Sequence, residues 1–114
     1  MLSIDIEYKR GILFIRLKGI LNKDTSFKLN EILERAIVGA GIKYLMINFE
    51  KLNSIDNDGL KVINDRCQEL ISNEGKLLIC GFNENIRFII EHSSLNKLIY
   101  KTNNEIGAFN IVSV

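Results

Sequence analysis

The 114-residue chain has no proline and no tryptophan, and His92 is its only histidine. Without proline, a low-complexity segment or a repeat of solenoid period, the sequence contains no recognisable linker. The length suits one domain, which we expect to span residues 1–114. Because His92 lies at the end of a predicted helix, we expect it to be a solvated residue beside the negative helix terminus rather than a catalyst.

The sequence also lacks an excess of either charge. The 15 Lys and Arg residues against 14 Asp and Glu residues give a net charge of +1, which offers no attraction for nucleic acid or an anionic membrane. No apolar run approaches the roughly 20 residues that span a bilayer, so we expect no direct membrane insertion. The N-terminus alternates apolar and polar residues and lacks the apolar core of a signal peptide, which favours a cytoplasmic protein.

Only two cysteines are present, Cys67 and Cys80, and both lie inside apolar patterns. A free cysteine packs as a small apolar residue, so we interpret both as reduced core thiols. No cofactor is expected from the sequence, because it contains no Gly-rich phosphate loop, no metal-ligand cluster and no nucleophile elbow.

The apolar pattern alternates between strand and helix periods along the chain. Alternation over 2–8 and 12–17, joined at 9–11, predicts an antiparallel hairpin. Short apolar runs predict three more strands at Tyr44–Ile47, Lys76–Cys80 and Leu98–Tyr100. Polar helix-start signals predict helices that begin at 22–25, at Asp58 or Gly59, at Asn83 and at 103–105. The order ββαβαβαβα predicts an α/β fold, with a mixed, mainly parallel sheet and about four helices.

The same pattern predicts which side chains face the core. The first strand is expected to be half buried through Leu2, Ile4, Ile6 and Tyr8. Helical spacing predicts buried faces on three helices, which are Phe27, Leu29, Ile32, Leu33, Ala36 and Ile37 on the first, Leu60, Ile63, Cys67, Leu70 and Ile71 on the second, and Ile86, Ile89 and Ile90 on the third. The last predicted helix carries Ile106, Phe109 and Ile111.

The segment SIDNDGL, residues 54–60, follows a predicted central strand and is the most informative stretch of the sequence. Its spacing resembles a calcium loop, with Ser54, Asp56 and Asp58 at positions one, three and five and Asp65 at position twelve. That interpretation lacks its structural context, because a strand precedes the segment and Asp65 is predicted to lie inside a helix. Asp56 and Asp58 could form an acid–base pair, yet the chain supplies none of the other parts of an active site.

A simpler interpretation is that Asp58 caps the following helix and favours its positive end. Capping needs only one such residue, however, and Asp56 and Asn57 stand beside it. All three lie at the carboxyl end of a predicted central strand, where open α/β sheets place their sites. The segment is therefore predicted to be a binding site as well as a helix start.

The order of elements and this turn resemble the STAS domain of bacterial anti-sigma factor antagonists. At the strand-to-helix turn the family has an apolar residue followed by Asp-Ser-Ser-Gly-Leu, and this chain has Ile55 followed by Asp56, Asn57, Asp58, Gly59 and Leu60. The family's earlier Gly-x-Leu-Asp corresponds to 19–22, with Asn22 in place of the Asp, and Thr25 matches a common helix-start residue. The late segment KLLICGFNENIRFIIEHSSLNKLI is also similar, so the resemblance covers essentially the whole chain.

The resemblance implies a non-enzymatic binding module whose partner is an anti-sigma factor that is also a serine kinase. In that family the kinase phosphorylates the second Ser of the turn, and phosphorylation ends binding. Asp58 stands at that position here, so the usual switch is expected to be absent. Either Asp58 imitates phosphoserine and prevents binding, or the protein binds constantly and its partner accommodates Asp58. We favour the second hypothesis, because a carboxylate carries one charge against about −1.5 to −2 for phosphate.

The expected partner surface combines this turn with the preceding loop and the solvent face of the second helix. Its predicted residues are Asn22, Lys23, Asp24, Asp56, Asn57, Asp58, Lys61, Val62 and Asp65. Val62 is expected to be exposed, off the core stripe, and Ser54 is a neighbouring hydroxyl that could be modified instead. STAS-like modules also serve in larger signalling assemblies and as subunits of membrane transporters, which is the alternative function. A nucleotide or lipid binder is a third hypothesis, and an enzyme is the last.

Overall fold

The structure is a computed structural model that describes residues 1–112. The strands are β1 Leu2–Lys9, β2 Ile12–Leu21, β3 Tyr44–Ile55, β4 Lys76–Cys80 and β5 Tyr100–Lys101. The helices are α1 Ser26–Glu34, α2 Asn57–Ser72, α3 Glu84–Glu91 and α4 Ala108–Ile111. A π-helical turn, Arg35–Gly39, continues α1, and 3₁₀ turns occupy Ser94–Lys97 and Glu105–Gly107.

The five strands form one sheet in the order β1-β2-β3-β4-β5. β1 and β2 are antiparallel, and each of the other neighbouring pairs is parallel. The predicted α/β fold, with an N-terminal hairpin on a mainly parallel sheet, is therefore confirmed. Three strand predictions were inaccurate: β2 runs on to Leu21 rather than ending at Leu17, β3 runs on to Ile55 rather than ending at Ile47, and the last strand is Tyr100–Lys101 rather than Leu98–Tyr100.

Alternate residues of the central strands divide the interior into two cores. Leu13, Ile15 and Leu17 of β2 face the larger core, which α1, α2 and α3 cover. Ile12 and Phe14 face the smaller core, which α4 covers together with the last residues of the described chain. The period of two in a strand places successive side chains on opposite faces, so one strand serves both cores.

Several apolar residues that the pattern assigned to the core are exposed instead. Phe27 is 60% exposed, because it precedes Leu29 by two residues and so points away from the buried stripe of α1. Ile71 is 41% exposed for a similar reason, since it lies one residue past the buried Leu70 of α2. Ile6 and Tyr8 are exposed because β1 is an outer strand that pairs only with β2.

Three further predictions concern the two cysteines, His92 and the last helix. Cys67 and Cys80 are free and buried, as predicted, and burial raises the pKa of each thiol to about 11. His92 ends α3 and is exposed, as predicted. The final helix is shorter than predicted, because a 3₁₀ turn precedes it and leaves Ile106 exposed. Among residues 1–112, no helix is long and apolar enough to cross a membrane.

A charged clamp of Arg16, Asn48 and Glu105, not predicted from the sequence, lies beside the smaller core. Arg16 of β2 donates two hydrogen bonds to Glu105, at 2.7 Å and 2.8 Å, and Asn48 donates a third at 2.9 Å. The guanidinium also contacts Asp5 and Glu7 of β1. The Arg16 hydrogen bonds hold the pKa of Glu105 below its usual range, so the clamp is present at neutral pH and is lost as the pH falls through that lowered value.

We expect Glu105→Gln to loosen the segment that covers Cys80, because Cys80 packs with Ala108 and Val112 beneath it. The loss of this partly buried charged pair, and of the Glu105 charge that, together with burial, raises the pKa of the Cys80 thiol, should raise the rate of Cys80 alkylation by roughly three- to tenfold. Mass spectrometry after iodoacetamide labelling at fixed pH measures this rate, with the equally buried Cys67 as the internal standard. Glu31→Gln is the control, because it breaks only the exposed pair with Arg35. Equal Cys80 rates in the two variants would contradict the clamp.

Candidate functional site

The candidate site lies where β3 passes into α2. β3 ends at Ile55 and α2 begins at Asn57, so Asp56 is the single residue between them. Asp56 has an extended backbone, with φ −108° and ψ −175°, which turns the chain out of the sheet before the helix begins. The site therefore lies at the carboxyl end of a parallel strand, as predicted, where β3 is paired with β2.

The Asp56 carboxylate joins two separate parts of the chain. One oxygen, Oδ1, accepts a hydrogen bond from the backbone N–H of Gly59 at 2.9 Å and so caps α2. The other oxygen, Oδ2, accepts from the backbone N–H of Lys23 at 3.0 Å, 33 residues earlier in the chain. The backbone N–H of Asp56 also donates to the carbonyl of Leu21 at 3.1 Å. The loop between β2 and α1 is thereby fixed beside the start of α2.

The prediction that Asp58 caps this helix is wrong. The helix begins one residue earlier than expected, at Asn57, and Asp56 is the cap. Asp58 instead lies in the first turn with its side chain exposed, where its charge favours the positive end of the helix. Asn57 is exposed beside it. Neither of these side chains is needed to form the turn, so both are available to a partner.

The loop before α1 is shaped by Asn22 and Thr25. The Asn22 side-chain oxygen accepts from the backbone N–H groups of Asp24 and Thr25 at 2.9 Å and 3.2 Å. The Thr25 hydroxyl donates to the carbonyl of Ile20 at 2.8 Å and accepts from the backbone N–H of Asn22 at 2.9 Å. Thr25 is buried, so these bonds form in a protected environment. Asn22 therefore has a structural role in this loop, while the side chains of Lys23 and Asp24 are exposed.

Gly59 lets α2 start directly against the end of β2. A Cβ atom at this position would lie 2.8 Å from Cγ of Leu21, 3.0 Å from the Leu21 carbonyl oxygen and 3.0 Å from Cγ1 of Ile55. Leu21 and Ile55 are both buried, so neither has free space in which to move. The glycine is required here by a close approach of two elements.

The predicted surface continues along α2. Asp58, Lys61 and Asp65 recur at helical spacing on its exposed side, and Lys61 pairs with Asp65 at 2.7 Å. An exposed pair of this kind contributes little stability. Val62 does not fit the prediction, because it is half buried and packs against the larger core. It lies one turn before Arg66, whose Nε donates to the Asn30 side chain of α1 at 3.0 Å, so Val62 faces α1.

This geometry opposes both chemical alternatives for the segment. A calcium loop would need Asp56 and Asp65 as ligands, but both Asp56 oxygens accept backbone N–H bonds and Asp65 is paired with Lys61 inside α2. An acid–base pair would need Asp56 to exchange protons with a substrate, and its carboxylate is instead bound into the turn. Asp56 and Asp58 are therefore arranged as the start of a helix and not as a calcium loop or an acid–base pair.

Neither a groove beside the site nor the orientation of Phe27 was predicted from the sequence. The groove, of about 280 Å³, separates α2 from the 3₁₀ turn Ser94–Lys97, and Asn64 donates across it to the Ser94 hydroxyl at 2.8 Å. No local pattern marks this pairing, since 30 residues separate the two. The exposure of Phe27 could have been predicted from its spacing. Leu29 and Leu33 are four residues apart on the buried face of α1, whereas Phe27 is only two residues from Leu29 and so lies on another face.

Comparison with known families identifies this arrangement. Residues 3–108 match the family model of the STAS domain. The chain belongs to the STAS family. A curated relative of this STAS chain, the anti-sigma F factor antagonist of Paenibacillus polymyxa, is 27% identical over 113 residues and covers 99% of this chain and 97% of the relative. The resemblance drawn from the sequence is confirmed.

Solved STAS structures share the fold. A Thermotoga maritima protein described as an anti-sigma factor antagonist superposes with a TM-score of 0.90 at 14% identity, over 97% of this chain and 95% of its own. The Bacillus cell fate determinant SpoIIAA, in its phosphorylated form, superposes with a TM-score of 0.77 at 21% identity, over 96% of this chain and 100% of its own. At these identities the likeness establishes the fold alone.

Proposed function

We propose that residues 1–114 form a single STAS domain that acts as a non-enzymatic, cytoplasmic regulator of the anti-sigma factor antagonist type. The observation that carries this proposal is the double role of the Asp56 carboxylate. It holds the β2–α1 loop and the start of α2 together as one surface, in a chain whose curated relative is an anti-sigma F factor antagonist. A preformed surface binds with little loss of conformational freedom, which suits a protein-interaction module.

The proposed partner is an anti-sigma factor that is also a serine kinase, or another signalling protein. Lys23 and Asp24 of the loop and Asn57 and Asp58 of the turn present the exposed side chains of the surface. Because these charges have both signs, they would steer and orient a partner rather than attract any anion or cation. Nucleic acid and membrane lipid are not part of the proposal.

Asp58 stands where the STAS motif has the Ser that is phosphorylated, so we expect the usual phosphorylation switch to be absent. A kinase that phosphorylates serine has no hydroxyl to modify at position 58. The carboxylate has one charge and lacks the three acceptor oxygens of a phosphate, so it blocks a partner less strongly than phosphoserine does. We therefore expect a module that binds constantly, to a partner that places a cation or an N–H donor against Asp58.

The direct test is calorimetric titration with the serine-kinase anti-sigma factors of the same organism. The natural protein should bind with ADP or with ATP present. Asp58→Ser should bind within about fivefold of the natural protein in ADP, since an exposed charge contact contributes up to about 1 kcal/mol. After incubation with ATP only Asp58→Ser should lose binding, as its introduced hydroxyl becomes phosphorylated and the added charge repels the partner.

Two other results would change the proposal. Binding by Asp58→Ser alone would mean that Asp58 imitates phosphoserine and holds the natural protein in a released state. Absence of binding by both variants would remove the anti-sigma factor from the proposal. The module would then fit better as a STAS subunit of a signalling assembly or a membrane transporter, and co-purification of the intact protein from its own cells would be the next measurement.

A further inference from the structure

Phe27 presents an aromatic ring to solvent in the first turn of α1, with 60% of its surface exposed. A single exposed apolar side chain is ordinary on a protein surface and indicates nothing alone. Its place in the fold is more informative, because α1 begins immediately after the loop that Asp56 fixes against α2.

The hydrogen bonds between α1 and α2 locate Phe27 relative to the candidate site. The Lys23–Asp56 bond joins the starts of the two helices, and the Arg66–Asn30 bond joins them further along. The helices therefore run side by side in the same direction. Phe27 lies three residues before Asn30, and Val62 lies four residues before Arg66, so both are about one helical turn closer to Asp56 than this bond.

Apolar and charged side chains therefore occur together at this end of the two helices. Phe27 of α1 is exposed, and Val62 of α2 is half buried against the larger core. Exposed charged side chains lie on the same elements and on the loop before α1, and these are Lys23, Asp24, Lys28, Asp58 and Lys61. Protein interfaces have this composition, with aromatic residues enriched at the centre and charged residues at the edge.

We infer that Phe27 is the apolar anchor of the proposed interface and inserts against an apolar side chain of the anti-sigma factor. This inference rests on the proposed function, and it adds a contact that the phosphorylation-turn motif does not contain. The position of Phe27 supports this inference, because Phe27 lies in the first turn of α1, directly after the loop that carries Lys23 and Asp24. An aromatic anchor at the centre of an interface commonly supplies a large share of the binding free energy.

The test compares Phe27→Ala with Phe88→Ala in the same calorimetric titration against the anti-sigma factor. Phe88 is a matched control, because it is 62% exposed and its ring stacks on His92 of its own helix, 4.0 Å between centroids. Phe27→Ala should weaken binding by about tenfold or more, and this loss should be the same at low and high salt, as expected for an apolar contact. Phe88→Ala should bind like the natural protein.

The outcomes separate this inference from the proposed function. Binding by the natural protein and by Phe27→Ala with equal affinity would overturn the anchor and leave the proposed function standing. Absence of binding by the natural protein would overturn both. Sedimentation of the natural protein and of Phe27→Ala, each without the anti-sigma factor, tests for self-association. A concentration-dependent dimer that Phe27→Ala abolishes would mean that the ring joins two copies of this chain, which also overturns the inference. Melting temperatures equal to that of the natural protein in both variants would show that a loss of binding by Phe27→Ala comes from the lost contact and not from unfolding.

Discussion

Asp56→Ala is expected to lower the free energy of unfolding by about 2–3 kcal/mol. The carboxylate accepts two hydrogen bonds from backbone N–H groups, from Gly59 at 2.9 Å and from Lys23 at 3.0 Å. Loss of a helix cap alone costs about 0.5–2 kcal/mol, and a hydrogen bond to a charged group contributes about 1.5–3 kcal/mol. The hydrogen bond from Lys23 is exposed to water and contributes less than the one from Gly59. The expected loss of stability is therefore well below the sum of the two upper limits. Urea denaturation followed by circular dichroism measures the change.

Asp58→Ala is the matched control for this result. It removes the same side chain two residues later, in the same helical turn, where the charge acts only through the helix dipole. That effect is about 0.3–1 kcal/mol, so the two variants should differ clearly. In hydrogen exchange, the Lys23 amide should lose its protection in Asp56→Ala and keep it in Asp58→Ala. A larger loss of stability in Asp58→Ala would contradict the assignment of Asp56 as the cap.

The strands and helices were largely readable from periodicity, and the errors have local causes. β3 was predicted as four residues because its remaining part, 48–55, mixes polar and apolar residues. In the structure this part pairs with β2 through irregular register, with shifts between Arg16 and Lys18 and between Gly19 and Ile20. A bulged strand does not keep a strict alternation of two, so the pattern ends before the strand does.

The candidate site was predicted less completely than the fold. The turn itself could be located, because two aspartates and a glycine follow an apolar residue and precede a helical pattern. The choice between Asp56 and Asp58 as the cap could not be made from sequence, since both are good capping residues. The bond to Lys23 spans 33 residues and the clamp of Arg16 on Glu105 spans 89, and no local pattern encodes either distance.

Gly59→Ala is expected to destabilise the protein by up to about 2 kcal/mol, although alanine is the better helix former. The substitution gains about 1 kcal/mol in helix propensity, because glycine is the more flexible residue. Against this, the added Cβ meets Leu21 Cγ at 2.8 Å and the Leu21 carbonyl oxygen at 3.0 Å, and overpacking of a close interior costs about 1–3 kcal/mol. The carbonyl belongs to the β2 backbone, so it cannot turn aside as a flexible side chain would. The clash should therefore exceed the gain.

Gly39→Ala provides the opposite expectation within the same chain. Gly39 ends the π-helical turn after α1, and a Cβ atom there would meet nothing within 4 Å. Its substitution should stabilise the protein by about 0.4–1 kcal/mol, through the smaller conformational freedom of the unfolded chain. Thermal unfolding should show the melting temperature lowered by Gly59→Ala, by about 4–8 °C for each kcal/mol, and slightly raised by Gly39→Ala. A stabilised Gly59→Ala would show that α2 can move away from β2, and the close approach of Gly59 to Leu21 would then not be a fixed feature of the fold.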